Sequence, residues 1–202
     1  METIREFINE TEKIYRLKVP FEDLYTSVFL IKTEQGNVLV DCATYARDVD
    51  EYIIPALNAL GLGFTDIKYL VLTHNHGDHA GGKVRLLELK PDLTIINSMQ
   101  EIHINNIVVY ELKGHTLDCI GVFDEDSGTL ISGDGLQGAG VGKYRCSIVN
   151  KEKYLKTIER IEQDKRIKNI LFSHAYEPWY KDCAFGREEV EKCLQDCKKY
   201  SK

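Results

Sequence analysis

From Glu12 to Leu17 apolar and polar residues alternate, the period-two pattern of a half-buried strand. Ser27–Lys32, the Thr33-Glu34-Gln35-Gly36 turn and Asn37–Asp41 read as a hairpin. Arg47 to Leu60 repeats with helical period, and Gly61 supplies a stop signal. Tyr69-Leu70-Val71-Leu72 is a short continuous apolar run, as a buried strand requires, and it gives way to polar chain at Thr73. A short helix is predicted around Lys83–Leu89, stopped by Pro91, with strands near Thr94–Asn97 and Ile107–Leu112. Cys119–Phe123 and Thr129–Ser132 form a second hairpin around Asp124–Gly128. Lys151–Ile161 carries Tyr154, Leu155, Ile158 and Ile161 on one helical face, Asn169–Ser173 is the last strand, and Glu188–Tyr200 the last helix. Strands outnumber helices and no regular β-α alternation appears. The pattern therefore predicts a layered α+β or sandwich architecture over a doubly wound parallel sheet.

Composition narrows this further. A chain of 202 residues suits a single domain over 1–202, and 43% hydrophobic with 29% charged residues is the balance of a globular protein. A net charge of −6 without a lysine-arginine run argues against nucleic acid as the partner and leaves a small molecule. Met1–Lys18 is charged throughout and lacks the apolar core of a signal peptide, and no apolar run approaches the ~20 residues that span a bilayer. No membrane partner and a cytoplasmic location are expected. Cys42, Cys119, Cys146, Cys183, Cys193 and Cys197 are too scattered for a disulfide scaffold. Cys193 and Cys197 share a helical stripe with Val190 and Leu194, so they read as buried thiols rather than a metal pair.

The candidate chemistry lies in Thr73-His74-Asn75-His76-Gly77-Asp78-His79-Ala80-Gly81-Gly82, where three of the chain's six histidines fall within six positions. His74 and His76 are alternate residues of extended chain, so both imidazoles can reach one ion. Gly77 permits a sharp turn, after which the adjacent Asp78 and His79 should project to different places and serve a second ion. The spacing differs from the helical His-Glu-x-x-His arrangement. His115, Asp134 and His174 each follow an apolar strand or sit in a Gly-flanked turn, where loops gather. Imidazole and carboxylate without thiolate suit zinc, iron or manganese, and a carboxylate can bridge two ions. His103 has no such context and reads as a strand or turn residue. Three segments could shape a pocket: Pro20–Tyr25, the glycine-rich Gly135–Asn150 with Tyr144 and Arg145, and Tyr176–Tyr180. Arg145 is the candidate for an anionic substrate group.

Taken together, Thr-His-x-His-x-Asp-His-x-Gly-Gly at 73–82, Gly-His-Thr at 114–116, Ser-Gly-Asp at 132–134 and Ser-His at 173–174 resemble the metallo-β-lactamase superfamily. The resemblance implies a four-layer αβ/βα sandwich. It implies one ion on His74, His76 and His115, another on Asp78, His79 and His174, and Asp134 between them. Asp78 and Asp134 would be the catalytic carboxylates, with two divalent ions, zinc foremost and iron or manganese also accommodated. Asp41, in Val40-Asp41-Cys42, resembles an early aspartate of the family that orients the site. An aspartate at 134 is the pattern of glyoxalase II-like thioesterases and lactonases; β-lactamases carry cysteine or serine near there. The chain reads Gly114-His115-Thr116-Leu117-Asp118-Cys119 where relatives often have Gly-His-Thr-Pro-Gly-Ser. It also ends about one helix past His174, without the helical substrate domain of a hydroxyacylglutathione hydrolase, so glutathione thioesters are not the expected substrate. The implied activity is hydrolysis of a small ester, thioester or lactone by a metal-bridging hydroxide. The alternatives on the same scaffold are a persulfide dioxygenase-like iron oxidoreductase, a phosphodiesterase or nuclease, and a non-catalytic sensor.

Overall fold

The protein is represented by a computed structural model that describes residues 5–104, 106–138, 147–176 and 181–201. The chain forms two compact units, divided between Asn97 and Ser98.

The first unit is built on a six-stranded sheet in sequence order, β1 (Ile8–Asn9), β2 (Ile14–Phe21), β3 (Leu24–Ile31), β4 (Asn37–Val40), β5 (Ile67–Val71) and β6 (Thr94–Ile96). β1 to β4 run antiparallel, and β5 and β6 join in parallel. The hairpin expected over Ser27–Asp41 is present as β3 and β4. Pro20–Tyr25, one of the expected pocket-shaping segments, is mostly paired strand, with Pro20 opposite Tyr25, Phe21 opposite Leu24 and only Glu22 and Asp23 left in the turn. Pro20 is tolerated because β1 reaches only as far as Arg16 on β2, leaving the outer edge beside Pro20 open. Inward residues Leu17, Val28, Leu30, Leu39 and Leu70 meet Val49, Ile53, Ala56 and Leu57 from the helical stretch that follows β4. Each such burial contributes roughly 1.5–3 kcal/mol.

That helical stretch has three parts: α1 (Ala46–Asp48), a π-helical turn (Val49–Ile53) and α2 (Ile54–Ala59). One regular helix was expected. Pro55, which has no N–H to return to Glu51, lies just past the wide turn and accounts for the interruption. Gly61, at φ +73, ends the stretch as expected. Between β5 and β6 come α3 (Gly77–Ala80) and α4 (Lys83–Leu89), the second as predicted and the first not.

The second unit has a five-stranded sheet in the order β11-β10-β9-β8-β7, comprising β7 (Ile107–Glu111), β8 (Ile120–Asp124), β9 (Thr129–Ile131), β10 (Asn169–Leu171) and β11 (Cys183–Phe185). β9 and β10 are parallel and the other pairs antiparallel. Tyr154, Ile158 and Ile161 of α5 (Lys151–Gln163) and Val190, Cys193, Leu194 and Cys197 of α6 (Arg187–Tyr200) pack with Leu112, Phe123, Leu130, Ile170 and Phe172. The expected apolar stripes thus face a core except at Leu155, which is only half-buried, and Cys193 and Cys197 are buried within it. β11 was not anticipated, since three residues are too few to show a period. Among the described residues no helix is long and apolar enough to cross a membrane.

Candidate metal centre

In the first unit β4 and β5 lie parallel with Val40 opposite Val71, so the chain leaves both strands at the same end of the sheet. Asp41 follows one and Thr73 the other. The Thr73 N–H donates to Asp41 Oδ1 (2.8 Å), the Thr73 hydroxyl to Asp41 Oδ2 (2.9 Å), and His79 Nδ1 sits 2.7 Å from the same Oδ2. Asp41 is fully buried, and its carboxylate is thereby fixed by three donors. Asp41 and Ala43 both adopt positive φ, 62° and 60°. Left-handed backbone at non-glycine residues costs roughly 1–2 kcal/mol each. The bonds to Asp41 and the Asp48 carboxylate, which accepts from the Thr44 and Tyr45 N–H groups, hold the turn there.

The histidine run folds back against this turn. The Cys42 N–H donates to the His79 carbonyl and the Gly81 N–H to the Ala43 carbonyl. A Cβ on Gly81 would stand 1.8 Å from the Thr44 carbonyl oxygen, and one on Gly82 2.3 Å from that of Cys42, so only glycine allows this approach. His74 Nε2 and His76 Nδ1 come to 2.9 Å, the convergence expected for alternate residues. Asp78 and His79 were expected to diverge. They do not, because the chain enters α3 at Gly77, and Asp78 Oδ2 lies 3.4 Å from His79 Nε2.

In the second unit the parallel register sets Ile131 opposite Leu171. Asp134 is the third residue after Ile131 and His174 the third after Leu171, so equal offsets carry both past the same sheet end. His174 Nε2 lies 3.4 Å from Asp134 Oδ1, and His115 Nε2 lies 3.8 Å from Asp134 Oδ2. His115 Nδ1 donates to the Ser147 carbonyl at 2.8 Å, which fixes the ring and leaves Nε2 with its lone pair. Gly114, at φ +149, lies so close to α5 that a Cβ would meet Tyr154 Cα at 2.5 Å.

These contacts test the donor set for a metal. His79 gives its Nδ1 proton to Asp41, so its Nε2 presents a lone pair to a carboxylate oxygen of Asp78. His115 does the same toward Asp134. Imidazole nitrogens and carboxylate oxygens gathered at such distances form a donor set that fits zinc, iron or manganese. His74, His79, His115 and His174 are buried and His76 is exposed. Burial, then the charge of Asp41, pushes the Cys42 thiol far above its usual range, so it stays a neutral neighbour of the site.

Of the substrate candidates, Tyr176 places its ring 5.6 Å from that of His174, while Tyr144, Arg145 and residues 177–180 lie outside the described residues. His103 is exposed, with its Nδ1 3.8 Å from a carboxylate oxygen of Glu101, and it joins none of the three-residue metal-type clusters among the described residues. The β2–β3 pairing runs on past Phe29, the partner of Val40, so the hairpin tip overhangs the sheet end from which Asp41 and Thr73 emerge. Two supports were missed from sequence: the Thr73 side chain on Asp41, and the Ser147 carbonyl on His115. Thr73 was within the motif and could have been found from its place at a strand end; a backbone carbonyl leaves no sequence signal.

The metallo-beta-lactamase superfamily model matches residues 22–107. A lactamase-like protein from Aspergillus niger, named adaB, is 27% identical over 144 residues, covering 61% of this chain and 44% of that protein. A hydroxyacylglutathione hydrolase from Yersinia pestis is 27% identical over 199 residues, covering 85% of this chain and 74% of that protein. A crystal structure of a Pseudomonas aeruginosa metallo-beta-lactamase in its mono-zinc form superposes with a TM-score of 0.72 at 18% identity, covering 96% of this chain and 95% of the other. The fold is therefore the α+β fold of the metallo-beta-lactamases, and the match to the superfamily model lies within the first unit and the start of the second. The chain spans less than half the length of the Aspergillus relative and about three quarters of the Yersinia one.

Proposed function

We propose that the protein is a dinuclear metal-dependent hydrolase of small thioesters, esters or lactones. The observation that carries this reading is Asp134, whose two oxygens face two different histidines, Oδ2 toward His115 and Oδ1 toward His174. A carboxylate so placed suits the space between two ions. The reading assigns His74, His76 and His115 to one ion and Asp78, His79 and His174 to the other, with zinc as the first choice. The pairs His74–His76 and Asp78–His79 support the division. When bound, such ions bring the pKa of water toward neutrality and polarise a carbonyl oxygen.

The chain's own groups do the rest. Asp41 fixes the tautomer and orientation of His79, and Ser147 those of His115. Tyr176 beside His174 and the Phe21–Leu24 tip of the β2–β3 hairpin are offered as substrate contacts. The similarity to a hydroxyacylglutathione hydrolase and the aspartate at position 134 favour a thioester or lactone over a β-lactam. Cys42, Cys119, Cys193 and Cys197 are outside any disulfide, which supports a reducing cytoplasmic setting.

The test is hydrolysis of a thioester, lactone, β-lactam and phosphodiester panel by the full chain before and after chelation. Thioester or lactone turnover lost on chelation and restored by zinc is expected. Phosphodiester turnover alone, or turnover that survives chelation, contradicts the reading.

A further inference from the structure

Cys193 and Cys197 are buried thiols for which the proposed reaction has no use. Both stand on the inner face of α6, and both direct their sulfur at one atom: the Gln137 carbonyl oxygen lies 3.3 Å from Cys193 Sγ and 3.5 Å from Cys197 Sγ. A carbonyl has two lone pairs and can accept from two S–H donors. Gln137 is the third residue after Asp134, on the same loop. Leu136 is buried in the core, and a Cβ on Gly138 would meet the Lys181 carbonyl at 2.6 Å, so the segment lies flat against the unit.

The other side of the thiol pair leads to α5. Tyr154 shares the core cluster with Cys197, whose thiol is drawn below its usual range by hydrogen bonding from Cys193 first and from Tyr154 as well, and Tyr154 packs its Cα and Cβ against Gly114, the residue before His115. The single S–H of Cys193 is shared between the Gln137 carbonyl and Cys197 Sγ, and hydrogen bonding to Cys197, then burial, holds that thiol well above its usual range. The i, i+4 spacing in a continuous helix holds the Cβ atoms about 5–6 Å apart, beyond the ~4 Å of a disulfide, so the pair stays as two thiols.

We infer that Cys193, Cys197 and Tyr154 are positioning residues, a buried hydrogen-bonded link that sets the Asp134 loop against the Gly114-His115 turn and so fixes the carboxylate and imidazole at metal-binding spacing. The inference rests on the proposed metal centre for its consequence, though not for the link itself. Removing both thiols takes their hydrogen bonds from the Gln137 carbonyl and loosens Asp134 relative to His115.

The experiment compares full-length Cys193→Ala/Cys197→Ala with Cys193→Ser/Cys197→Ser and with Tyr154→Phe. Zinc titration of the metal-free protein and amide exchange over residues 132–138 are the two readouts. The alanine pair is expected to weaken zinc binding about tenfold or more, within the range for lost outer supports, and to speed exchange over the loop. The serine pair, which keeps a donor at each position, is expected to restore both readouts close to wild type, and Tyr154→Phe to fall between. Unchanged zinc affinity in the alanine pair overturns the inference. Equal losses in the serine and alanine pairs also overturn it, because packing rather than hydrogen bonding would be at work. A wild-type chain that binds no zinc would sink the proposed function, and exchange over the loop would then decide the link alone.

Discussion

Asp41 Oδ2 stands 2.7 Å from His79 Nδ1, although the two residues are 38 apart in the chain. In the proposed centre the aspartate acts through His79 rather than on an ion itself. It takes the one proton His79 has to give on that side, and thereby decides which nitrogen of His79 is left to bind.

Replacing Asp41 separates orientation from folding. Asp41→Asn can still accept from Thr73 but no longer anchors an imidazole N–H by charge. Zinc affinity should fall about 10- to 100-fold with little change in the fold. Asp41→Ala strands the buried Thr73 N–H as well, at about 1–3 kcal/mol. Zinc titration and urea denaturation of the metal-free protein would show these two losses separately.

Gly81 is constrained by space. A Cβ there would lie 1.8 Å from the Thr44 oxygen, and backbone cannot yield as a flexible side chain can. Gly81→Ala should cost about 3 kcal/mol or more, read as a lowered denaturation midpoint. Gly77→Ala, where nothing lies within 4 Å of the new Cβ, should be close to neutral by the same measure.

Much of this was legible in the sequence because it rests on local pattern. The β3–β4 hairpin, α4, and the stripes of α5 and α6 follow from period and turn residues. The candidate ligands stood out because His74, His76, Asp78 and His79 are crowded into one run. What sequence could not give is pairing between distant segments. The register of Ile131 with Leu171, which brings Asp134 to His174, exists only in the folded sheet. The turn of Asp78 and His79 into α3 was missed because four residues carry too little period. The π turn was missed because the apolar stripe of Val49, Ile53, Ala56 and Leu57 continues through it.

Stability should decline in mild alkali. Burial pushes the Cys119 thiol from 9.0 up to about 11. Above pH 9.0 the unfolded chain loses this proton while the folded one keeps it, so the unfolded state binds fewer protons and folding weakens as pH rises toward about 11. The contribution is complete below pH 9.0 and about 3 kcal/mol of it is gone above the folded value. Denaturation midpoints across this range should fall, and fall less in Cys119→Ala. Equal slopes in the two proteins would refute the assignment.

Tyr176 offers a check on the substrate side. With its ring 5.6 Å from that of His174, Tyr176→Ala should raise KM severalfold while zinc stoichiometry stays unchanged. A loss of bound zinc instead would make Tyr176 a support of His174 rather than a substrate contact.

The most direct test of a two-ion hydrolase is the number of zinc equivalents needed to restore hydrolysis to the metal-free full chain. The account predicts that activity rises until two equivalents per chain are bound, and that Asp134→Ala lowers the affinity for both. Full activity at one equivalent, or hydrolysis by the metal-free chain, would contradict it.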